Sequence, residues 1–207
     1  MGTKVPASQH LEALVLAAGR GARFGGGKLL ATYRDGLVIE GAVAAAFAAP
    51  VSRVTLTVGC DGSAVAAAAQ AYAERTGQSE RLQVVEAADW ADGMAASLKR
   101  GIAALAPETR GVFVFLGDMP RIPATISQGL AEALECGAAA AIPTFQGRRG
   151  HPVLLGVELF SAIASLSGDQ GARPIIEGLG ARLVEVEADD DGVLFDIDAP
   201  QDLTRGR

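Results

Sequence analysis

The densest concentration of reactive side chains lies in residues 14–28, Leu-Val-Leu-Ala-Ala-Gly-Arg-Gly-Ala-Arg-Phe-Gly-Gly-Gly-Lys. An apolar run leads into it, glycines fill it, and Arg20, Arg23 and Lys28 supply positive charge. Glycine lets a backbone turn sharply and approach a ligand closely. A strand entering such a loop exposes several N–H groups at a sheet edge, and those groups with fixed cations suit a polyphosphate. The stretch therefore predicts a nucleotide site with the triphosphate in the loop. A Walker loop fails twice, because Ala22 and Leu29 stand where glycine and Ser or Thr are needed. A dinucleotide fingerprint starting at Gly19 and Gly21 meets Phe24 at its last glycine, where close helix–strand packing is required. The bland alternative is a glycine-rich surface turn with scattered cations.

Carboxylates supply the complementary chemistry. Asp118 follows the hydrophobic run Val-Phe-Val-Phe-Leu, lies beside Gly117 and precedes Met119-Pro120. At a strand mouth it can bind Mg²⁺, and it can equally be a turn or N-cap aspartate. Asp196 and Asp198 alternate, so an extended segment puts both on one side. Either can complete a Mg²⁺ shell with Asp118, while Asp198 can instead cap a terminal helix whose dipole suits Asp202. Ser97 sits one turn into a helix whose start can face a phosphate or a base. His151, after Arg148 and Arg149, reads as an acceptor contact or as a structural histidine. The two arginines attract an anionic acceptor or form a solvated loop. No serine elbow, zinc-protease spacing or zinc-deaminase spacing occurs.

The elements that must position these groups alternate strand and helix. Strands are expected at 13–18, 54–58, 82–86, 112–116, 138–143, 151–155, 183–186 and 193–195. Helices are expected at 37–49, 63–75 with Ser63 as cap, 93–105, 123–134, 157–166 and 171–179, with a short terminal one from Pro200. This order predicts an α/β fold, a mostly parallel sheet covered by helices on both faces, with ligands at the carboxyl ends of the strands. The glycine loop and Asp118 then share one edge. Residues 189–191, three aspartates, read as a solvated turn, and the irregular 146–198 region as a lobe over the acceptor side.

Composition bounds the partners. The 207 residues suit one domain, read as 12–207 behind a polar, flexible leader at 1–11. A net charge of -6 argues against broad attraction to nucleic acid or membrane, so the positive loop is a local feature for a small anion. Cys60 and Cys136 lack metal spacing and read as reduced thiols in a cytoplasmic protein. No apolar run has transmembrane length, and the leader lacks a signal-peptide core.

The series Leu16-Ala17-Ala18-Gly19-x-Gly21-x-Arg23-Phe24-Gly25-x-x-Lys28, Gly93-x-x-x-Ser97-Leu, Gly117-Asp118-Met-Pro120, Gly150-His151-Pro152, Gly168-Asp169-x-Gly171-Ala172-Arg173 and Asp196-Ile-Asp198-x-Pro200 resembles MobA-like nucleotidyltransferases. The likeness spans nearly the whole chain after the leader and is greatest for the molybdenum-cofactor cytidylyltransferase branch. It implies a Rossmann-like nucleotidyltransferase fold of the nucleotide-diphospho-sugar transferase type, and Mg²⁺ dependence. It implies nucleotide contacts at Leu16, Ala17, Ala18, Gly19, Gly21 and Ser97, catalytic Arg23, Lys28 and Asp118, and metal ligation by Asp118 and Asp198. It implies transfer of CMP, or GMP, from CTP or GTP to molybdopterin, and delivery to an apo-molybdoenzyme. Ala18 and Gly27 stand where the guanylyl branch has glycine and aspartate, which favours CTP. The competing readings are a guanylyltransferase or related NTP transferase, an NAD(P)-dependent oxidoreductase, and a non-catalytic nucleotide-binding partner.

Overall fold

The computed structural model describes residues 11–204; most of the expected leader lies outside the described residues. Leu11, placed at the leader's end by sequence, is buried and opens the first strand.

The main sheet has eight strands. In chain order they are β1 (Leu11–Ala17), β4 (Val54–Val58), β5 (Leu82–Glu86), β6 (Gly111–Leu116), β7 (Ala140–Phe145), β8 (Arg148–Arg149), β9 (Val153–Gly156) and β10 (Leu183–Glu187). A two-stranded hairpin, β2 (Thr32–Tyr33) and β3 (Gly36–Leu37), stands apart. The spatial order is β10-β7-β9-β6-β1-β4-β5, with β8 paired to β7. The β1–β4, β1–β6, β4–β5 and β7–β10 pairs are parallel; β9 runs antiparallel to both β6 and β7.

Period-two alternation assigns each strand's residues to opposite faces. On β1, Ala13, Val15 and Ala17 join one core cluster and Leu14 the other. On β6, Phe113 and Phe115 face the first cluster, Val112 and Val114 the second. Helices α1 (Val38–Ala48), α2 (Gly62–Arg75) and α4 (Ile126–Glu135) cover the first face. Helices α3 (Met94–Ala103), α5 (Phe160–Ile163) and α6 (Arg173–Glu177) cover the second. Alanine at Ala42, Ala45, Ala46, Ala69 and Ala73 lets α1 and α2 pack close to one another and to the sheet.

Several expectations are corrected. Residues 193–195 form no strand, because Asp190 accepts from the Gly192 N–H (2.6 Å) and turns Asp191–Leu194 into a 3₁₀ segment. Residues 189–191 are not merely solvated: Arg121 Nη2 pairs with Asp191 (2.6 Å) and approaches Asp190 (3.8 Å). The region 146–198 is no separate lobe, since β8, β9 and β10 belong to the main sheet. The expected helices at 157–166 and 171–179 shrink to α5 and α6 with a 3₁₀ turn at Val157–Leu159, and the terminal one is 3₁₀. Glycines with positive φ at 168, 171 and 180 bound them. Ser63 is no cap, because α2 already begins at Gly62 behind Asp61, which is left-handed. Cys60 and Cys136 are both free. No helix among the described residues is long and apolar enough to cross a membrane.

Candidate active site

Strand pairing decides the site. Because β1 and β6 are parallel neighbours with Leu16 opposite Leu116, the loops leaving them emerge side by side. The Gly117 N–H donates to the Leu16 carbonyl (2.9 Å) and fixes that alignment. From β1 the chain goes on to β4 and β5 on one side, while β6 lies on the other, so this is where strand order reverses. Crevices at such reversals admit ligands.

The glycine loop takes its shape from left-handed residues. Gly21, Gly25, Gly26 and Gly27 have φ of 61°, 91°, 99° and 63°, flanking short 3₁₀ turns at Ala22–Phe24 and Lys28–Leu30. Side chains with a Cβ rarely adopt such angles. The loop thereby brings Lys28 close to Gly21, where an added Cβ would lie 3.1 Å from the lysine Cβ. The first α-helix starts only at Val38, and Phe24 packs against the core. No helix N-terminus therefore follows the loop directly, which removes the basis of a dinucleotide site.

Lys28 is the hub. Its Nζ donates to Asp118 Oδ2 (2.6 Å) and lies 3.9 Å from Asp198 Oδ1. Arg23 Nη1 donates to Asp198 Oδ2. Exposure falls from 82% for the Arg23 side chain, through 43% for Asp198 and 24% for Asp118, to 12% for Lys28. The tail carrying Asp198 is pinned where the Ile197 N–H donates to the Asp118 carbonyl (2.9 Å). Asp202 Oδ2 accepts from the N–H groups of Asp198 (3.1 Å) and Ala199 (2.8 Å), so Asp202 secures the turn and leaves the Asp198 carboxylate to the cations. Partial desolvation, then the charges of Asp118 and Asp198, push the Asp196 carboxyl above its ordinary value, with Lys28 opposing.

A cavity of about 330 Å³ is lined by Lys28 and Asp118 of this cluster but not by Asp198. Leu16, Ala17, Ala18, Gly19, Gly21, Lys28, Ser97 and Asp118 all line it, so every expected nucleotide contact except Arg23 faces one space. Arg23 enters the group through Asp198. Two further lining residues belong here: Trp90, which sequence reasoning did not single out, and Asp169, which it quoted only within a motif and without a role. Trp90 lines the cavity with the Arg20 guanidinium 5.5 Å from its ring centre, a cation–π arrangement. Asp169 lines it and accepts from the Met94 N–H at the start of α3 (3.3 Å). Asp196, which the sequence offered beside Asp198 as a partner for Asp118, does not line this cavity. Trp90 is the chain's sole tryptophan and precedes Gly93 in an Ala/Asp-rich loop, a signal that could have been used.

A second cavity, of about 500 Å³, shares Leu16, Met94, Leu116 and Asp169 with the first. His151 lines it, with Nδ1 3.4 Å from the Val114 carbonyl. Burial lowers the His151 pKa, against the raising effects of that carbonyl and of Asp118. Arg149 lines this cavity, whereas Arg148 faces a different one beside Phe145 and Phe195.

No group of three or more His, Cys, Asp or Glu side chains that could hold a metal is present among the described residues. Asp118 and Asp198 nonetheless bring two hard oxygen donors from distant segments around one cationic centre, the Lys28 ammonium. Two carboxylates completed by substrate phosphates suit Mg²⁺. The donor set fits such an ion.

The family model described as "MobA-like NTP transferase domain" matches residues 13–186. No curated protein matches the sequence significantly. The crystal structure of Rv0371c from Mycobacterium tuberculosis H37Rv is 27% identical with a TM-score of 0.80, covering 96% of this chain and 97% of that one. Its complex with manganese is 24% identical with a TM-score of 0.74, covering 95% and 97%. Molybdopterin-guanine dinucleotide biosynthesis protein A from Archaeoglobus fulgidus is 16% identical with a TM-score of 0.60, covering 94% and 95%, a likeness of fold.

Proposed function

The chain belongs to the MobA-like NTP transferase family, and from that premise we propose that it moves CMP from CTP to the phosphate of molybdopterin, releasing pyrophosphate. The observation that carries the reading is the 2.6 Å contact of Lys28 Nζ with Asp118 Oδ2, which joins the glycine loop to the β6 mouth. The triphosphate lies along the backbone of residues 16–21, with Lys28 and Arg23 on its oxygens and Ser97 with Trp90 toward the nucleoside. Asp118 and Asp198 are the ligands for Mg²⁺; manganese is bound by the related Rv0371c. Such an ion offsets charge developing on the phosphates.

The acceptor phosphate oxygen attacks the α-phosphorus; the bond from that phosphorus to the oxygen bridging to the β-phosphate breaks, and pyrophosphate takes the electron pair. The attacking phosphate is already ionised near neutrality, so no general base is needed. The protein's work is alignment and charge neutralisation by Arg23 and Lys28. Ala18 and Gly27 favour CTP; GTP is the second reading, supported by the name of the Archaeoglobus relative. One domain that begins by Leu11, placement in the cytoplasm and hand-over to an apo-molybdoenzyme belong to the same proposal.

Protein, Mg²⁺ and molybdopterin incubated with CTP or GTP should release pyrophosphate, CTP faster. Silence with every nucleotide removes the reading. Nucleotide binding without release, with full function retained in Asp118→Asn, would instead identify a non-catalytic carrier.

A further inference from the structure

Residues 190–198 carry Asp198 to the mouth of β6. Val193 and Ile197 are fully buried in the first core cluster and fix the depth of this segment. The side chains around them are less enclosed: Phe195 is half-buried and Asp198 is exposed on one side. Arg121, three residues after Asp118 on the loop leaving β6, grips the segment twice. Its Nη2 bonds Asp191 (2.6 Å) and lies 3.8 Å from Asp190, while its guanidinium carbon sits 4.7 Å from the Phe195 ring centre. A guanidinium can do both at once, because its edge pairs with a carboxylate and its face stacks on a ring. The Arg121 side chain is only 18% exposed, so these contacts are partly shielded from water. The two backbones abut as well: a Cβ on Gly192 would lie 2.1 Å from the Arg121 carbonyl oxygen. Phe195 in turn meets Tyr33, with ring centres 6.0 Å apart.

One short stretch therefore carries Asp118 and, three residues on, the side chain that holds the segment bearing Asp198. Between the two lies the backbone bond from the Ile197 N–H to the Asp118 carbonyl (2.9 Å). A single hydrogen bond leaves a segment free to pivot about it, and the grip on Asp191 and Phe195 from the same loop opposes that pivot. Arg121 does not line the 330 Å³ cavity, so whatever it does there it does through this segment. We infer that Arg121 is a positioning residue: through Asp191 and Phe195 it sets where the Asp198 carboxylate stands relative to Asp118, within reach of the Lys28 ammonium that both approach. The consequence for a metal ion rests on the transfer reading above; the placement of Asp198 does not.

Arg121→Met keeps the stem of the side chain and removes both contacts. In metal-free, full-length protein, hydrogen exchange followed by NMR should show the Ile197 amide exchanging about fivefold faster or more, as expected when an ion pair and a cation–π contact are lost together. Amides of the buried strand β1 should keep their native rates. Mn²⁺ affinity, read by electron paramagnetic resonance, should fall by a similar factor, and that fall should vanish when Asp198→Asn is already present, because the two residues act on one ligand. Phe195→Leu takes the ring from beneath the guanidinium and leaves the ion pair; it should act in the same direction and stands in if Arg121→Met does not fold. Native exchange at Ile197 overturns the inference, as does faster exchange spread equally through β1, which marks a merely structural role. So does a loss of Mn²⁺ affinity equal in both backgrounds, or native Mn²⁺ affinity in Arg121→Met where Asp198→Asn lowers it. Faster exchange confined to Ile197, with Mn²⁺ affinity indifferent to Asp198→Asn, would leave the placement standing and remove the metal reading.

Discussion

Lys28 and Arg23 hold, through Asp198 and Asp118, the carboxylates proposed to take a metal, while the same cations are proposed to take phosphates. Binding is therefore an exchange of partners: carboxylates turn to the metal as ammonium and guanidinium turn to the nucleotide. Removing the ammonium removes the metal's competitor. Lys28→Met should tighten Mn²⁺ binding in the absence of nucleotide by at least roughly tenfold, read by electron paramagnetic resonance, since opposite charges this close interact by several kcal/mol. The same variant should weaken CTP binding by about tenfold or more, as a charge-assisted hydrogen bond is lost. Unchanged Mn²⁺ affinity would show that Asp118 and Asp198 are not the ligands. Asp118→Asn keeps the shape of the side chain and should lower pyrophosphate release by ~100-fold or more while preserving the fold. A rate near that of the native protein would end the metal assignment of Asp118. Both residues were legible in sequence, as a lysine closing a glycine loop and an aspartate ending a buried strand. The places of Trp90 and Asp169 were not, because they come from neighbours far away in the chain.

At the scale of elements, the start of α3 is held by the segment at Gly168-Asp169. The Ala95 N–H donates to the Gly168 carbonyl (3.0 Å) and the Met94 N–H to Asp169. Gly93 makes this approach possible. Its φ is +108°, and a Cβ there would lie 2.6 Å from Gly168 backbone atoms. Gly93→Ala thus meets both an unfavourable dihedral and a collision that no side-chain rotation relieves. A cost of about 1–3 kcal/mol follows from such strain, and calorimetry should show a melting point lower by roughly 2–12 °C. CTP binding should weaken as well, because Met94 and Ser97 line the cavity proposed for the nucleotide. A melting point equal to that of the parent would show that the segment yields without loss. The glycine was visible in sequence as a helix start; the partner it admits, 75 residues later, was not.

For the whole molecule, the stability–pH profile carries the signature of His151. Its folded pKa is depressed by burial, so the unfolded chain takes up the proton first as pH falls. Stability is unaffected well above the unfolded value of about 6.5 and is lost progressively below it, toward the folded value. His151→Gln should flatten chemical-denaturation stability between roughly pH 7 and 5 relative to the native protein. Parallel profiles would show that the ring is not desolvated. The sequence alone determined most of the alternation of strand and helix, because short apolar runs such as Val112-Phe-Val-Phe-Leu116 and alanine-rich stretches encode local pattern directly. It also determined the loop chemistry, because glycine and lysine act where they stand. Only the tertiary structure decided that 146–187 joins the main sheet, that β9 runs against its neighbours, and that Asp198 rather than Asp202 meets the cations. Those outcomes depend on which strands pair and which distant groups compete for one hydrogen bond, and no local pattern in a chain records that competition.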